Sequence, residues 1–545
     1  MERVLVECEH VEADFSADPV HDLRVALRRC RSMADGMMAI DPDRSWKQMK
    51  KAGKALFQRL GTLRDVQIMM EWIDKLHPAA HAEEESRVET AASGVGEEAA
   101  VSLGEIRGES GGAEPSRAIE AAAHEERDAA ALALLEILKA REAEQKREAR
   151  AALQEFDRKE WRQWSKSLPL RAARVRPGSA VFKHLALERW AAARDLHTRA
   201  LRNRSQVAFH TLRIGIKRFR YTVENFLPNE HKAWSNDLKH MQDLLGEVHD
   251  LDILWATAIS CHVFADETLR KQWHARIVEE RTERIEEYRE HTVGEHSFWD
   301  VWRAGLPQGK QVQAIATLRM KLWAKALDPD FAHSERVSRL AVELYDGLVG
   351  AGFIESANGS DSRAILQVAA MLHDVGKAQG NKGHHKASFE MIRGHSTPLG
   401  WNPESLRRAA VVARFHAGAL PARSHKAFRD LLPQEQKVTI QLAAILRLAN
   451  AFDVGHDGHI RKVRIENAPT AKRHANGFLR KAPKPGPNEA LVISAEGFVA
   501  GSATAQAVAA ERYWLETVLR RPIVVREMKS SGLRRVAAEP KRIAS

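Results

Sequence analysis

The sequence predicts a mainly α protein: two pseudo-repeated helical bundles, then a second all-α domain that closes in a small α+β subdomain. Three observations carry this expectation. A basic pattern with helical spacing is written twice in the first half, as His21-Asp-Leu-Arg-Val-Ala-Leu-Arg-Arg-Cys-Arg31 and His210-Thr-Leu-Arg-Ile-Gly-Ile-Lys-Arg-Phe-Arg220. Helical periodicity resumes near Glu120 and runs through Leu132, Leu135 and Leu138 into Trp161 and Trp164. Short alternating runs enter only beyond Ile460: Lys462 to Glu466, Leu491 to Glu496 and Ile523 to Met528, with an amphipathic stretch from Ala503 to Arg520 between the last two, which predicts a small antiparallel sheet with one covering helix.

The two basic stretches agree in their offsets. His21 is followed by Arg24, Arg28 and Arg31, and His210 by Arg213, Lys217 and Arg220, at plus three, seven and ten. Those positions share one stripe of a helix. Leu23, Leu27 and Cys30, matched by Leu212, Ile216 and Phe219, lie beside the stripe and can face a core. The match continues downstream. Counted back from Gly61 and Gly246, Lys54 pairs with Lys239 and Lys47 with Lys232; a charged pair follows each glycine, Arg64-Asp65 or His249-Asp250. Each Leu-Gly is expected to lie near the end of its helix. A charge run is ordinarily a solvated face, but repetition at identical offsets with few acids on the stripe points to a polyanion site lined by both copies. Guanidinium binds phosphate oxygens in bidentate fashion, and lysine adds mobile point charges.

From about Val20 to Gly305 the chain resembles a CHAD domain, a helical family with two pseudo-repeated bundles around a basic pore. The resemblance implies binding of inorganic polyphosphate, with His21, Arg24, Arg28, Arg31, Lys47 and Lys54 as ligands, and His210, Arg213, Lys217, Arg220, Lys232 and Lys239 as their counterparts. His21 lies so near the start that the opening helix of the family is expected to be short or absent.

At 545 residues the chain is too long for one ordinary core, so two or three domains are expected. Net charge is +11, a field that favours anionic partners. No recognised reading motif or aromatic stacking platform accompanies the cations, which argues against nucleic acid. Cys8, Cys30 and Cys261 give neither a disulfide framework nor a zinc motif, in keeping with a reducing cytoplasm. The amino terminus lacks the pattern of a signal peptide, and no run of about 18 apolar residues suggests a membrane span. The expected domains are 1–305, 314–459 and 460–528, with a mobile insertion at about 83–116, a Pro-rich loop from Lys481 to Asn488 and a disordered basic tail at 529–545. The basic segment Arg171, Arg174, Arg176 and Lys183 fits either the groove or a solvated loop.

A second chemical centre begins near Ala314, where histidines gather with carboxylates: His333, His373-Asp374, Gly383-His-His-Lys386, Arg414-Phe-His416 and a helix from Ile440 to Asp453. Neutral imidazole with carboxylate suits divalent Mn, Mg, Fe or Zn, which lowers the pKa of a coordinated water and polarises a phosphoryl oxygen. A lone histidine on an amphipathic helix is usually a satisfied core residue. The pair His373-Asp374 is more specific, because it is costly to bury without a metal or strong hydrogen bonds.

His333 and Leu372-His-Asp-Val-Gly-Lys377, followed by an acidic helix, resemble the HD superfamily of metal-dependent phosphohydrolases. More narrowly, Gly383-His-His-Lys386, Ala413-Arg-Phe-His416, Leu420-Pro421 and Ile445-Leu-Arg-Leu-Ala-Asn-Ala-Phe-Asp453 resemble the C-terminal domain of the exopolyphosphatase and guanosine pentaphosphate phosphatase family. The sugar-kinase-like half that carries catalysis in those enzymes is missing, so hydrolysis would fall to the HD centre. The resemblance implies His333, His373 and Asp374 as metal ligands. Asn450 stands where the last metal-binding aspartate is usual, with Asp453 one turn on, so either residue is the candidate fourth ligand. His384, His385 and His416 are candidates for a second metal, phosphate binding or proton donation, with Lys377, Lys382, Lys386 and Arg414 as cations that stabilise phosphate charge in catalysis.

The expected function is a polyphosphate-binding cytoplasmic protein, at polyphosphate granules, whose HD module hydrolyses a phosphoanhydride or phosphoester, with a nucleotide as a further candidate substrate. The alternative is a binding or regulatory protein with a degenerate HD module.

Overall fold

The computed structural model describes residues 1–76, 116–355, 361–466 and 490–528. The insertion expected before Ser116, the loop from Lys481 to Asn488 and the basic tail beyond Met528 lie outside the described residues. The chain divides into two compact units, Met1–Gly309 and Lys310–Ser545.

The first unit is helical throughout its described residues. It begins with α1 (Glu2–Ala13), so the opening helix is present, twelve residues long, and its Val4, Cys8 and Val11 are fully buried. The two repeats are the hairpins α2 (Ala17–Met37) with α3 (Arg44–Leu76), and α7 (Gln206–Phe226) with α8 (Pro228–Ser260). Between them lie α4 (Ser116–Gln154), α5 (Arg158–Ala172) and α6 (Ala180–Asn203); α9 (Glu267–Thr292) and α10 (Phe298–Ala304) follow. Helix starts are set by ordinary caps: Ser205 accepts from the Ala208 amide at 3.3 Å and Asp157 from the Glu160 amide at 2.8 Å. Leu23, Leu27, Leu212, Ile216 and Phe219 are fully buried, so each basic stripe is mounted on an apolar face.

The hairpins meet through their basic helices. Gly36 of α2 leaves so little room that a β-carbon there would stand 2.3 Å from the Phe226 ring of α7. Nearby, Arg29 pairs with Glu224 at 2.9 Å and Asn225 donates to Ser32 at 2.7 Å. Residues late in α2 thus meet residues late in α7. Helix α3 likewise packs on α8.

Neither repeat glycine ends its helix. Gly61 and Gly246 lie inside α3 and α8, which are 33 residues each and run on past Arg64-Asp65 and His249-Asp250. What looks in sequence like a C-terminal stop is a thinned place in a continuous helix, used by an arginine from the preceding helix. Arg171, left between groove and loop by the sequence, is held by Asp41, with Nε and Nη2 donating at 2.7 and 2.6 Å.

The second unit packs α11 (Lys310–Leu327), α12 (Phe331–Gly350), α13 (Ser362–Leu372), α14 (His384–Gly394), α15 (Pro403–Arg414), α16 (Lys426–Arg429) and α17 (Pro433–Phe452). A short 3-10 turn, Val375–Gln379, joins α13 to the loop before α14. Strands β1 (Lys462–Ile465), β2 (Leu491–Glu496) and β3 (Ile523–Glu527) form one sheet in that order, and α18 (Ala503–Leu519) packs on α17. The sheet is not wholly antiparallel as the sequence suggested. β1 pairs antiparallel with β2, Lys462 opposite Glu496, whereas β3 pairs parallel with β2, Leu491 opposite Ile523. The reason is α18: a helix between two strands returns the chain to the same end of the sheet, so the second strand runs the same way. Among the described residues no helix is long and apolar enough to cross a membrane.

Candidate functional sites: a basic cleft and a histidine-carboxylate centre

The two basic stripes face each other across a cleft of about 320 Å³. His21, Arg24, Arg28 and Arg64 come from the first repeat, Arg213 and Lys217 from the second. Arg28 also borders a second cleft of about 340 Å³, walled by Arg31, Lys50, Arg189 and Arg218. Arg31 is braced by a hydrogen bond from Nη1 to the Lys50 carbonyl at 3.2 Å and by the Phe57 ring at 4.9 Å. Arg220 lies outside the walls of both clefts; it lies against one ring, Tyr221, that also receives Arg28, at 5.8 and 5.2 Å. The Nε atoms of Arg28, Arg213 and Arg220 are buried without a hydrogen-bond partner.

The glycines explain how arginine reaches the cleft. Arg24 Nη1 donates to the Gly61 carbonyl at 3.4 Å, and a β-carbon on Gly61 would lie 3.8 Å from Arg24 Nη2. The second repeat matches, with Gly246 under Arg213 Nε at 3.9 Å from such a carbon. One turn beyond each glycine, Asp65 and Asp250 enter the same cleft, joined by Asp243 and Glu247. The acids of this cleft therefore come from the second helices, whereas in the other cleft Asp35 of α2 pairs with Lys50.

Burial is the largest influence on the charges of the cleft, raising Asp65 and Asp250 and lowering the cations beside them. Lys217 is pushed down to about 7 by burial, then by Arg213 and Arg28, against the pull of Asp250. Burial lowers Arg24 as well, with Arg28, Arg64 and Arg213 adding to it. Asp250 is raised to about 6 by burial even beside Arg213 and Lys217. His249 is driven to about 4 by burial and the same cations, and its Nδ1 lies 3.2 Å from that of His210. A buried ammonium is disfavoured first by lost solvation and then by Arg213 and Arg28, and an anion beside it would favour its charged form. Lys47, Lys54, Lys232 and Lys239 are exposed and outside the walls of both clefts. Sequence reasoning did not assign Arg64, Lys50, Arg189 or Arg218 to the site. Arg64 carried a signal, three residues past the repeat glycine; the others carried none.

The second unit gathers its histidines around one carboxylate. His373 and Asp374 follow α13 directly, and Gly376 lets α14 dock on the turn: a β-carbon there would stand 2.2 Å from the His384 carbonyl oxygen and 2.5 Å from the Ser388 amide. Ser388 Oγ locks the junction, donating to the His373 carbonyl at 2.6 Å and accepting from the Gly376 amide at 2.9 Å. Three imidazoles share one orientation. Nδ1 of His373, His416 and His384 faces the carbonyl oxygens of Ala370, Ala413 and Asn381 at 2.7, 2.7 and 2.9 Å. Each Nε2 is thereby turned toward Asp374, at 3.4 Å for His373, 3.8 Å for His416 and 3.2 Å for His384. Lys377 Nζ lies 2.5 Å from the same carboxylate. Burial would raise Asp374, but His373, His384, His416 and Lys377 hold it well below the usual carboxylate range. Burial drives His416 and His373 down, whereas the bond to Asp374 raises His384.

His333 separates Asn450 from Asp453. Its Nε2 is 2.9 Å from Asn450 Oδ1 and 4.0 Å from Asp374, while its Nδ1 is 2.7 Å from Asp453 Oδ2. Asp453 also accepts from Arg336 Nε at 2.9 Å and from the Gly458 amide at 3.1 Å. Asp453 therefore stands behind the ring and Asn450 in front. Arg336, three residues after His333, is the orienting group that sequence reasoning missed. His385 lies beside His384 and His416, its pKa lowered by burial and by Arg414, while Lys382 and Lys386 are exposed.

The donor set fits a divalent metal. Two trios bring one ligand atom from each member within 4.8 Å of the others, His333 with His373 and Asp374, and Asp374 with His384 and His416. His373 Nε2 is fully buried with no hydrogen-bond partner, an arrangement that costs free energy unless a ligand completes it.

Comparison with known proteins agrees with this division. No curated protein matches the chain. Residues 2–258 match the family model of the CHAD domain, and residues 319–481 match that of Ppx/GppA phosphatase, domain III. The chain joins a CHAD domain to a region of the Ppx/GppA phosphatase domain III family.

Proposed function

We propose that the protein binds inorganic polyphosphate in the cleft between its repeats and hydrolyses a phosphoanhydride or phosphoester at an HD-type centre in its second unit. The observation that carries the first part is the convergence of Arg24, Arg28, Arg213 and Lys217 on one cleft, where burial first and then Arg213 and Arg28 lower Lys217 to about 7. A linear polyphosphate carries about one negative charge per unit, and each guanidinium can meet two of its oxygens. The exposed Lys47, Lys54, Lys232 and Lys239 then contribute through the long-range field.

In the second unit His333, His373 and Asp374 would hold one divalent ion, of the Mn, Mg, Fe or Zn group, and Asp374 with His384 and His416 would hold another. Bound there, the ion supplies Lewis acidity toward a phosphoryl oxygen and water. Asn450 presents a neutral oxygen on the same side of His333, and Asp453 with Arg336 fixes the ring. Lys377 places a cation beside Asp374, His385 lies next to the His384 and His416 rings, and Arg414 sits over Phe415 at 5.4 Å. The substrate is polyphosphate or a nucleotide. A cytoplasmic place at polyphosphate granules follows from the ligand.

A second reading, binding and regulation without turnover, is favoured by Asn450, which replaces a charged ligand by a weaker neutral one. Phosphate release from polyphosphate and from nucleotides, with manganese, compared between wild type and His373→Ala, decides between them. Turnover abolished in the variant supports hydrolysis; absence of turnover and of bound metal in the wild type supports the binding role.

A further inference from the structure

We propose that His240, Glu287 and His291 form a separate site in the first unit, one that takes a single divalent ion of the zinc class. Glu287 and His291 stand four residues apart on α9, so their side chains share one face. Helix α8 packs on α9 and brings His240 to that face.

His240 Nε2 lies 3.0 Å from a Glu287 carboxylate oxygen, and the His240 and His291 rings meet edge to face with centroids 5.3 Å apart. One ligand atom from each of the three lies within 4.8 Å of the other two. Three protein donors around a tetrahedral zinc, at about 2.0–2.2 Å each, stand roughly 3.3 Å from one another. Half-exposed side chains cover the difference by small rotations. The His291 ring is already held, stacked on Phe298 at 5.1 Å with the planes 8° apart.

Chemistry and access point the same way. Two imidazoles and a carboxylate favour zinc and its neighbours over magnesium or calcium, and leave one position for water. Side chains of His240 and Glu287 are 42% and 44% exposed, so an ion enters without the helices parting. The nearest arginines on α9 are engaged elsewhere, Arg289 with Glu286 at 2.8 Å and Arg284 with Glu247 at 3.0 Å. A plain surface ion pair would account for His240 and Glu287 alone; it gives no role to the third donor. Bound, the ion would tie α9 to α8, the helix that carries Gly246 and Asp250 into the basic cleft.

The test is zinc binding to the full chain after exhaustive dialysis, with stoichiometry from elemental analysis and affinity from calorimetry. His240→Ala with His291→Ala should bind one zinc fewer per chain than wild type, with the far-ultraviolet circular dichroism unchanged. Glu287→Gln should weaken that same equivalent roughly tenfold or more. Equal stoichiometry and affinity in wild type and double variant overturn the site. Should the double variant lose helical signal, Glu287→Gln decides alone, and an unchanged zinc affinity there overturns it equally.

Discussion

Arg24 lies against Gly61, its Nη1 3.4 Å from the glycine carbonyl, and one repeat later Arg213 stands over Gly246, its Nε 3.9 Å from where a β-carbon would lie. The pairing turns a helical glycine, which costs about 1 kcal/mol against alanine, into a shelf on which a guanidinium reaches the cleft. The duplicated element is thus a pair of helices with a charge on one and a gap on the other.

Gly61→Ala should stabilise the first unit by about 1 kcal/mol, because a methyl at 3.8 Å makes ordinary contact with Arg24. Gly61→Leu should displace Arg24 and weaken polyphosphate binding. Thermal melting and equilibrium binding measure the two effects, and weakened binding in the alanine variant would count against the shelf.

Polyphosphate affinity should fall as pH rises past about 7. Lys217 has a free-state pKa of about 7, depressed by burial, Arg213 and Arg28, and the neighbouring Asp250 titrates at about 6. A bound polyanion favours the charged lysine and raises its pKa, so binding takes up a proton. The contribution is complete below the free-state pKa and is lost as pH climbs through the bound-state value. Ionisation of Asp250 adds repulsion in the same direction. The stability of the ligand-free fold has the opposite sign: the unfolded lysine, at 10.5, holds more protons, so this group makes stability rise with pH between about 7 and 10.5. Calorimetry in buffers of different ionisation enthalpy should detect net proton uptake on binding near pH 7.

Gly376→Ala should destabilise the second unit by about 3 kcal/mol or more, since the added carbon meets backbone rather than a movable side chain. The histidine centre should fail with it, because α14 carries His384. Urea unfolding of the variant, with manganese binding measured alongside, checks both.

The two polar residues near His333 should respond differently. Asn450→Asp adds a charged oxygen on the Nε2 side and should tighten manganese binding, by roughly tenfold. Asp453→Ala leaves His333 Nδ1 and Arg336 without their buried acceptor and should cost about 3 kcal/mol of stability. Manganese titration and urea unfolding separate the roles; Asp453→Ala with full stability and lost metal would reverse them.

The basic stripes were legible in the sequence because helical spacing places charges on one face and the repeat rules out coincidence. Spacing alone carried the outer lysines less far. Lys47 and Lys54 match Lys232 and Lys239 in offset, yet all four are exposed outside the cleft walls, while Lys50 lines a cleft that its offset did not announce. The glycines misled for a physical reason: Leu-Gly before a charged pair resembles a helix end, and only the arginine from another helix shows why the helix continues. Strand direction depended on α18 returning the chain, a tertiary event that alternation in β3 cannot record. Residues 333, 373 and 374 were expected at one centre and their donor atoms do lie together, whereas Asn450 and Asp453, neighbours on one helix face, were parted by the two nitrogens of a single ring.

The most direct measurement is equilibrium binding of polyphosphate of defined length to wild type and to Arg24→Ala with Arg213→Ala, across a range of salt concentration. The facing stripes predict weaker binding in the double variant and a shallower slope of log affinity against log salt, by roughly 1–2, since each lost cation releases fewer counterions. Equal affinity and equal slope for the two proteins would contradict it.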